Sequence, residues 1–213
     1  MIANNGSLTI NDSVGTGKIS FNDSGTGDTH PDPETVNWAS YTIINDGTLV
    51  INGGTIEHLG QQEKHGNNAI FSRSGNTTIN GGKVLAQYTR SVRLWKGSLT
   101  INGGEFDGQI WVQPTSDCTL NITGGSFTSG THSGDYSSVF VENESLAVNF
   151  SATGGTFLTK IGCSNADQLA GAVTGGVFTE AAVEETAVKL INEGYEFVSK
   201  EDGTYTLIER ELQ

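Results

Sequence analysis

The chain has 213 residues, a formal net charge of −13, 35% hydrophobic residues, 29 Gly and only 3 Pro. That length can bury one sizeable core, and high Gly without Pro excludes both a collagen-like chain and a Pro-rich linker. The acidity repels phosphate backbones and anionic lipid, which argues against nucleic acid and against membrane insertion as modes of action.

In chain order, the first element is a partial repeat, Leu8-Thr-Ile-Asn-Asp-Ser13, so the chain is expected to begin part-way through a coil. Residues 21–38 form a long acidic insertion. Full repeats follow: Leu49-Val-Ile-Asn-Gly-Gly-Thr-Ile56, Thr77-Thr-Ile-Asn-Gly-Gly-Lys-Val84, Leu99-Thr-Ile-Asn-Gly-Gly-Glu-Phe106 and Leu120-Asn-Ile-Thr-Gly-Gly-Ser-Phe127. Looser copies end in Thr153-Gly-Gly-Thr-Phe157 and Thr174-Gly-Gly-Val-Phe178. The first Gly of each pair falls at 53, 81, 103, 124, 154 and 175, a unit of about 21 or 22 residues with two insertions. Such a period suits one coil of a parallel β-helix, in which insertions become outer loops.

Alternation within a unit points Leu99 and Ile101 inward, and Gly-Gly then turns the chain sharply. Stacked units align Ile51, Ile79, Ile101 and Ile122, continued by Ala152 and Val173. A second apolar column holds Ile56, Val84, Phe106, Phe127, Phe157 and Phe178. Asn52, Asn80 and Asn102, then Thr123, Thr153 and Thr174, occupy the turn, where Asn columns can form hydrogen-bonded ladders. Segments at 68–72, 91–95 and 138–141 supply a third strand per coil, giving a triangular or L-shaped section. Residues 181–194 read as a short amphipathic helix stopped by Gly194, and 195–208 as a hairpin with an Asp-Gly turn. The expected fold is all-β: a right-handed parallel β-helix (solenoid) of about six to seven coils over 1–180. A helix-plus-hairpin cap over 181–213 would cover the open strand edges of the last coil.

Repeats of the form L-x-I-N-G-G-x-F, with a tail like Gly194-Tyr-Glu-Phe197 and Glu201-Asp-Gly-Thr-Tyr-Thr206, resemble pectate-lyase-like β-helix modules. Such modules occur in surface or secreted proteins of anaerobic gut bacteria and in their phages. The resemblance implies an adhesin-like part of a larger extracellular, cell-surface or virion protein. The same fold hosts pectate lyases, polygalacturonases and tailspikes, so fold alone assigns no activity.

Chemistry must therefore come from the residues. A lyase needs carboxylates for Ca²⁺ and a basic proton acceptor, and a hydrolase needs paired carboxylates. D-D, G-H-G and R-x-K patterns are missing from the sequence. The nearest basic cluster is Arg90-Ser-Val-Arg93-Leu-Trp-Lys96, which Glu57, Glu105 and Asp107 could approach from neighbouring coils; a solvated mixed-charge face is the plain alternative. Asp23, Asp28, Asp32 and Glu34 in the insertion form a weak Ca²⁺ candidate without EF-hand spacing. His30, His58, His65 and His132 are scattered without zinc spacing. Gly15-Thr-Gly-Lys18 lacks both the earlier Gly and the following Ser/Thr of a phosphate loop. Cys118 and Cys163 form neither a metal motif nor a disulfide framework.

Residues 1–6 carry no signal-peptide pattern, and no run reaches the roughly 18 apolar residues of a membrane span. The chain is thus expected to be a fragment with an added Met, or to reach its site without a cleaved signal. Trp38, Tyr41, Tyr88, Trp95 and Trp111 are among the aromatics outside the columns. Exposed Trp and Tyr on a flat face could stack on sugar rings; the plainer reading is that Trp95 and Trp111 pack under loops. The sequence thus points away from an enzyme and toward a carbohydrate-binding module with Tyr88, Arg90, Arg93, Trp95 and Trp111 as binding residues and no resident cofactor. The alternative is a polysaccharide lyase or glycoside hydrolase acting on acidic glycans. Glycan or a host-surface ligand is the expected partner.

Overall fold

The structure, a computed structural model, describes residues 1–22, 40–60, 67–130 and 137–211. Its regular elements are overwhelmingly short strands, and all strand pairing before the C-terminal hairpin is parallel. The strands fall on three faces, which the chain visits in turn. The first face stacks Ser7–Ile10, Thr48–Ile51, Asn76–Ile79, Gly97–Ile101, Cys118–Ile122 and Val148–Ala152. On the second, Lys18–Phe21 and Thr55–His58 lead through to Ser126–Thr128, Thr156–Phe157 and Val177–Phe178. The third holds Ile2–Asn4, Tyr41–Asn45, Asn68–Ser72, Val139–Val141 and Ile161–Cys163. Strands Lys83–Leu94 and Glu105–Val112 run unbroken from the second face into the third. This repeated circuit is compatible with a β-helix-like solenoid.

The register reproduces the columns expected from the repeat. Ile10, Ile51, Ile79, Ile101, Ile122 and Ala152 are successive partners, and Val173 bridges to Ala152. Ile56, Val84, Phe106, Phe127, Phe157 and Phe178 align likewise. The four phenylalanines form a stack with ring centroids 5.0, 5.2 and 4.9 Å apart. Each coil alone would leave these rings in water; stacking buries all four.

The turn chemistry has two separate causes. Gly125 has φ of 102°, where a side chain is strained. Gly124 is required by proximity instead: a Cβ there would stand 2.4 Å from the Asn102 carbonyl oxygen of the previous coil. Beside the turn, Asn102 donates to Asn80 (2.8 Å), Asn80 to Asn52 (2.7 Å) and Asn52 to Asn11 (2.7 Å). Thr123 donates to Asn102 (2.9 Å), so the ladder extends into the Thr positions.

One inward column is partly polar. Thr77 stands in register with Leu49 and Leu99, yet it is buried. Its hydroxyl accepts from Asn45 Nδ2 (3.0 Å) and shares a hydrogen bond with Ser72 (2.9 Å), while Asn4 donates to Asn45 (2.7 Å). Mutual hydrogen bonding offsets the desolvation of these groups.

At the C-terminus the single helix expected over 181–194 is shorter. It spans Glu180–Glu185, capped by the Thr179 hydroxyl, and a separate 3-10 turn covers Val188–Leu190. Thr186 ends the helix because its backbone is extended and its hydroxyl is used twice, donating to the Ala182 carbonyl (2.6 Å) and accepting from Ile161 N–H (3.1 Å). The hairpin Tyr195–Ser199/Tyr205–Glu209 forms as expected, with Gly203 at φ 80°. Its second strand pairs antiparallel with Val177–Phe178, and Phe197 closes the phenylalanine stack edge-on at 5.1 Å.

Candidate functional site

The third face carries a second column, on its outer side. In Asn68–Ser72 the inward residues are Ile70 and Ser72, which turns Phe71 outward; the same parity turns out Arg93, Trp111 and Phe140. Register places Ile44, Phe71, Arg93, Trp111 and Phe140 side by side on adjacent strands, about 4.8 Å apart. Outward position does not leave them all in water: Phe71 is 3% and Arg93 8% exposed.

The burial comes from rings and guanidinium groups covering one another. Tyr41 stacks on Phe71 at 4.8 Å, and Trp95 meets Phe71 edge-on at 4.7 Å. The Arg93 guanidinium carbon lies 4.7 Å from the centroids of both Trp95 and Trp111. That of Arg90 lies 3.7 Å from Trp111. Each such contact contributes roughly 0.5–2 kcal/mol, more where water is excluded. Acceptors then lock the indoles: Trp111 Nε1 donates to Glu142 (3.0 Å), and Trp95 Nε1 to Gln113 (3.3 Å), which also accepts from Arg93.

Two cations and one carboxylate share this cluster. Burial, reinforced by Arg93, pulls the Arg90 guanidinium down to about 10, with Glu142 opposing. Burial also lowers Arg93, opposed by Tyr41 and Glu142, and raises the Tyr41 phenol. Both arginines stay charged at neutral pH. Nε of each is buried without a hydrogen-bond partner. Beside Phe140 opens a surface groove of about 480 Å³, bordered by Pro114, Glu142, Glu144, Ser145 and Leu146.

Of the residues singled out from sequence, Arg90, Arg93, Trp95 and Trp111 are thus brought together. Tyr88 is not: it lies in an out-looped stretch. Between the pairings Leu85↔Asp107 and Arg90↔Gln109, one strand has residues 86–89 where its neighbour has only Gly108. Tyr88 is exposed on that bulge. The expected approach of Glu57, Glu105 and Asp107 to the arginines does not occur, because they belong to the second face. Glu57 pairs with Lys18 (2.9 Å) and Glu105 with Lys83 (2.5 Å), while Asp107 is held up in pKa by burial. Glu142, not considered from sequence, is the acid beside the arginines. Phe71, Gln113 and Phe140 were also missed. The signal for the two phenylalanines was parity: each directly follows an inward aliphatic, as Arg93 and Trp111 do.

Trp38, His30, His65, His132 and the Ca²⁺ candidate Asp23, Asp28, Asp32 and Glu34 lie outside the described residues. Among the described residues no cluster of three or more His, Cys, Asp or Glu could hold a metal, and no helix is long and apolar enough to cross a membrane. His58 lies buried, its Nε2 2.7 Å from Ser40 Oγ. This Ser–His contact is not that of an activated nucleophile. His58 Nδ1 accepts from Gly60 N–H (3.1 Å), so in the neutral ring Nε2 carries the proton and cannot take one from serine. Ser40 instead donates to Asn67 Oδ1 (2.9 Å). Comparison with family models, curated proteins and solved structures returns no match to this chain.

Proposed function

We propose that this chain is a non-enzymatic, carbohydrate-binding module of a surface-displayed or virion protein, built as a right-handed parallel β-helix of about six to seven coils of the pectate-lyase-like kind. The observation that carries this reading is the outer column of the third face. Aromatic rings in fixed register, with indole N–H groups already held by Glu142 and Gln113, make a pre-organised platform. Sugar rings offer an apolar face to such rings. The groove beside Phe140, bordered also by Glu144 and Ser145, adds acceptors for sugar hydroxyls.

A glycan array followed by titration calorimetry tests it. Phe140→Ala and Trp111→Ala, each checked for an intact fold by circular dichroism, should weaken binding about tenfold or more. Glu105→Ala together with Asp107→Ala on the second face should leave it unchanged. Retention of full affinity by both aromatic variants would refute the platform.

One observation favours a second reading, a polysaccharide lyase or glycoside hydrolase acting on acidic glycans: Glu142 sits beside two arginines. Against it, Glu142 is occupied by Trp111, and a guanidinium titrating near 10 is almost wholly protonated at neutral pH, a poor proton acceptor. Release of unsaturated or reducing ends from an acidic polysaccharide, abolished by Glu142→Gln, would establish the enzyme instead.

A further inference from the structure

Arg90 is the anomaly of the outer face. Its guanidinium stacks on Trp111 at 3.7 Å, next to a second cation, Arg93. Arg93 finds acceptor Gln113, and Trp111 finds Glu142. The Nε–H of Arg90 is buried and, among the described residues, has no hydrogen-bond acceptor. A mostly desolvated guanidinium with an unpaired donor is costly, and a like charge beside it adds to the cost. Nothing about the strand demands this arrangement: the position is matched by Gln109 on the next coil and Asn68 on the previous one. In a chain of net charge −13, two clustered arginines facing outward form a local excess of positive charge.

We propose that Arg90, backed by Arg93, is the seat for an oxyanion carried by the ligand: a carboxylate or sulfate ester on a saccharide whose ring rests on Trp111 and Phe140. A planar guanidinium offers paired donors to such a group, and its stacking on Trp111 fixes their direction. The anion would add an acceptor beside a guanidinium whose Nε has none. The saccharide part of this assignment rests on the carbohydrate-binding reading; the anion seat does not, and the two are tested separately.

The seat is tested with small anions on the intact chain. The indole N–H resonance of Trp111, assigned with Trp111→Phe, is followed by NMR during titration with sodium sulfate or sodium glucuronate, at ionic strength held constant with sodium chloride. The wild-type chain should show a saturable shift. Arg90→Gln should weaken it about tenfold or more, and Arg90→Lys, which keeps the charge but loses the planar fork, should fall between. The stronger of the two anions identifies the group. No saturable shift in the wild type, or equal affinity in folded Arg90→Gln, overturns the proposal; should that variant not fold, Arg90→Lys binding as tightly as wild type does so. A parallel titration with neutral cellohexaose, sulfated heparin hexasaccharide and hexagalacturonate separates the two ideas. Anion binding without any oligosaccharide binding sinks the carbohydrate reading alone. Oligosaccharide binding that ignores both anionic groups and Arg90→Gln sinks the seat alone.

Discussion

Replacement of Phe127 by Ala probes the packing most directly. The ring is fully buried, and it stacks on Phe106 at 5.0 Å and on Phe157 at 5.2 Å, both within 13° of coplanar. Removing it leaves a void of about 100 Å³, which at about 24 cal/mol per Å³ contributes about 2.4 kcal/mol; lost transfer energy adds about 2 kcal/mol, for a total of about 4. Collapse into the void is resisted because parallel partners hold Phe127 on both sides, and the Gly125 and Gly155 turns pack so close that a Cβ on either would stand 3.0 Å from the ring. Unfolding entropy of about 2.1 cal/mol/K per residue over 213 residues gives about 0.45 kcal/mol/K, so the melting temperature should fall by about 9 °C. Thermal unfolding followed by circular dichroism measures it, with Phe127→Leu, which refills most of the space, as a milder control. A shift under about 2 °C for the Ala variant would show that the stack is not a continuous, rigid core.

Gly124→Ala should destabilise by a comparable amount although it adds only a methyl group, since its Cβ would lie 2.4 Å from a backbone oxygen; a melting temperature equal to wild type would remove the close-approach argument. Removal of residues 195–213 strips the antiparallel partner from Val177–Phe178 and the ring of Phe197 from the stack, so the truncated chain should aggregate, as light scattering would show; a monodisperse product with unchanged melting would refute the capping role. Asp12 accepts hydrogen bonds from the N–H groups of Gly17, Gly15 and Val14, which hold its carboxyl below its ordinary value. A depressed folded pKa gives stability that is present above the unfolded value, about 3.9, and is lost as pH falls through the folded one. The stability gap between wild type and Asp12→Asn should therefore be full above about pH 5 and shrink on acidification; a gap independent of pH between 3 and 7 would contradict it.

Local pattern was enough to place the core of this protein. Period-2 alternation around Leu99 and Ile101, repeated every 21 or 22 residues, can be satisfied only by setting like beside like, and parallel pairing does so for every isoleucine and phenylalanine of the two columns. The Asn ladder was legible for the same reason: identical residues at identical register must touch. The length of the C-terminal helix was not, because its end depends on Thr186 meeting Ile161, a residue 25 positions away. Nor was the partner of the arginines. Their place on neighbouring coils suggested Glu57, Glu105 and Asp107, yet these lie on the second face. The acid that reaches Arg90 and Arg93 is Glu142, after an insertion that obscures its position in the repeat. Alternation says which side of a strand a residue is on, but not which face of the coil that strand occupies. The latter is decided by where Lys83–Leu94 and Glu105–Val112 bend, at Gly108 and the residues looped out opposite it, and that corner is set by contact between coils.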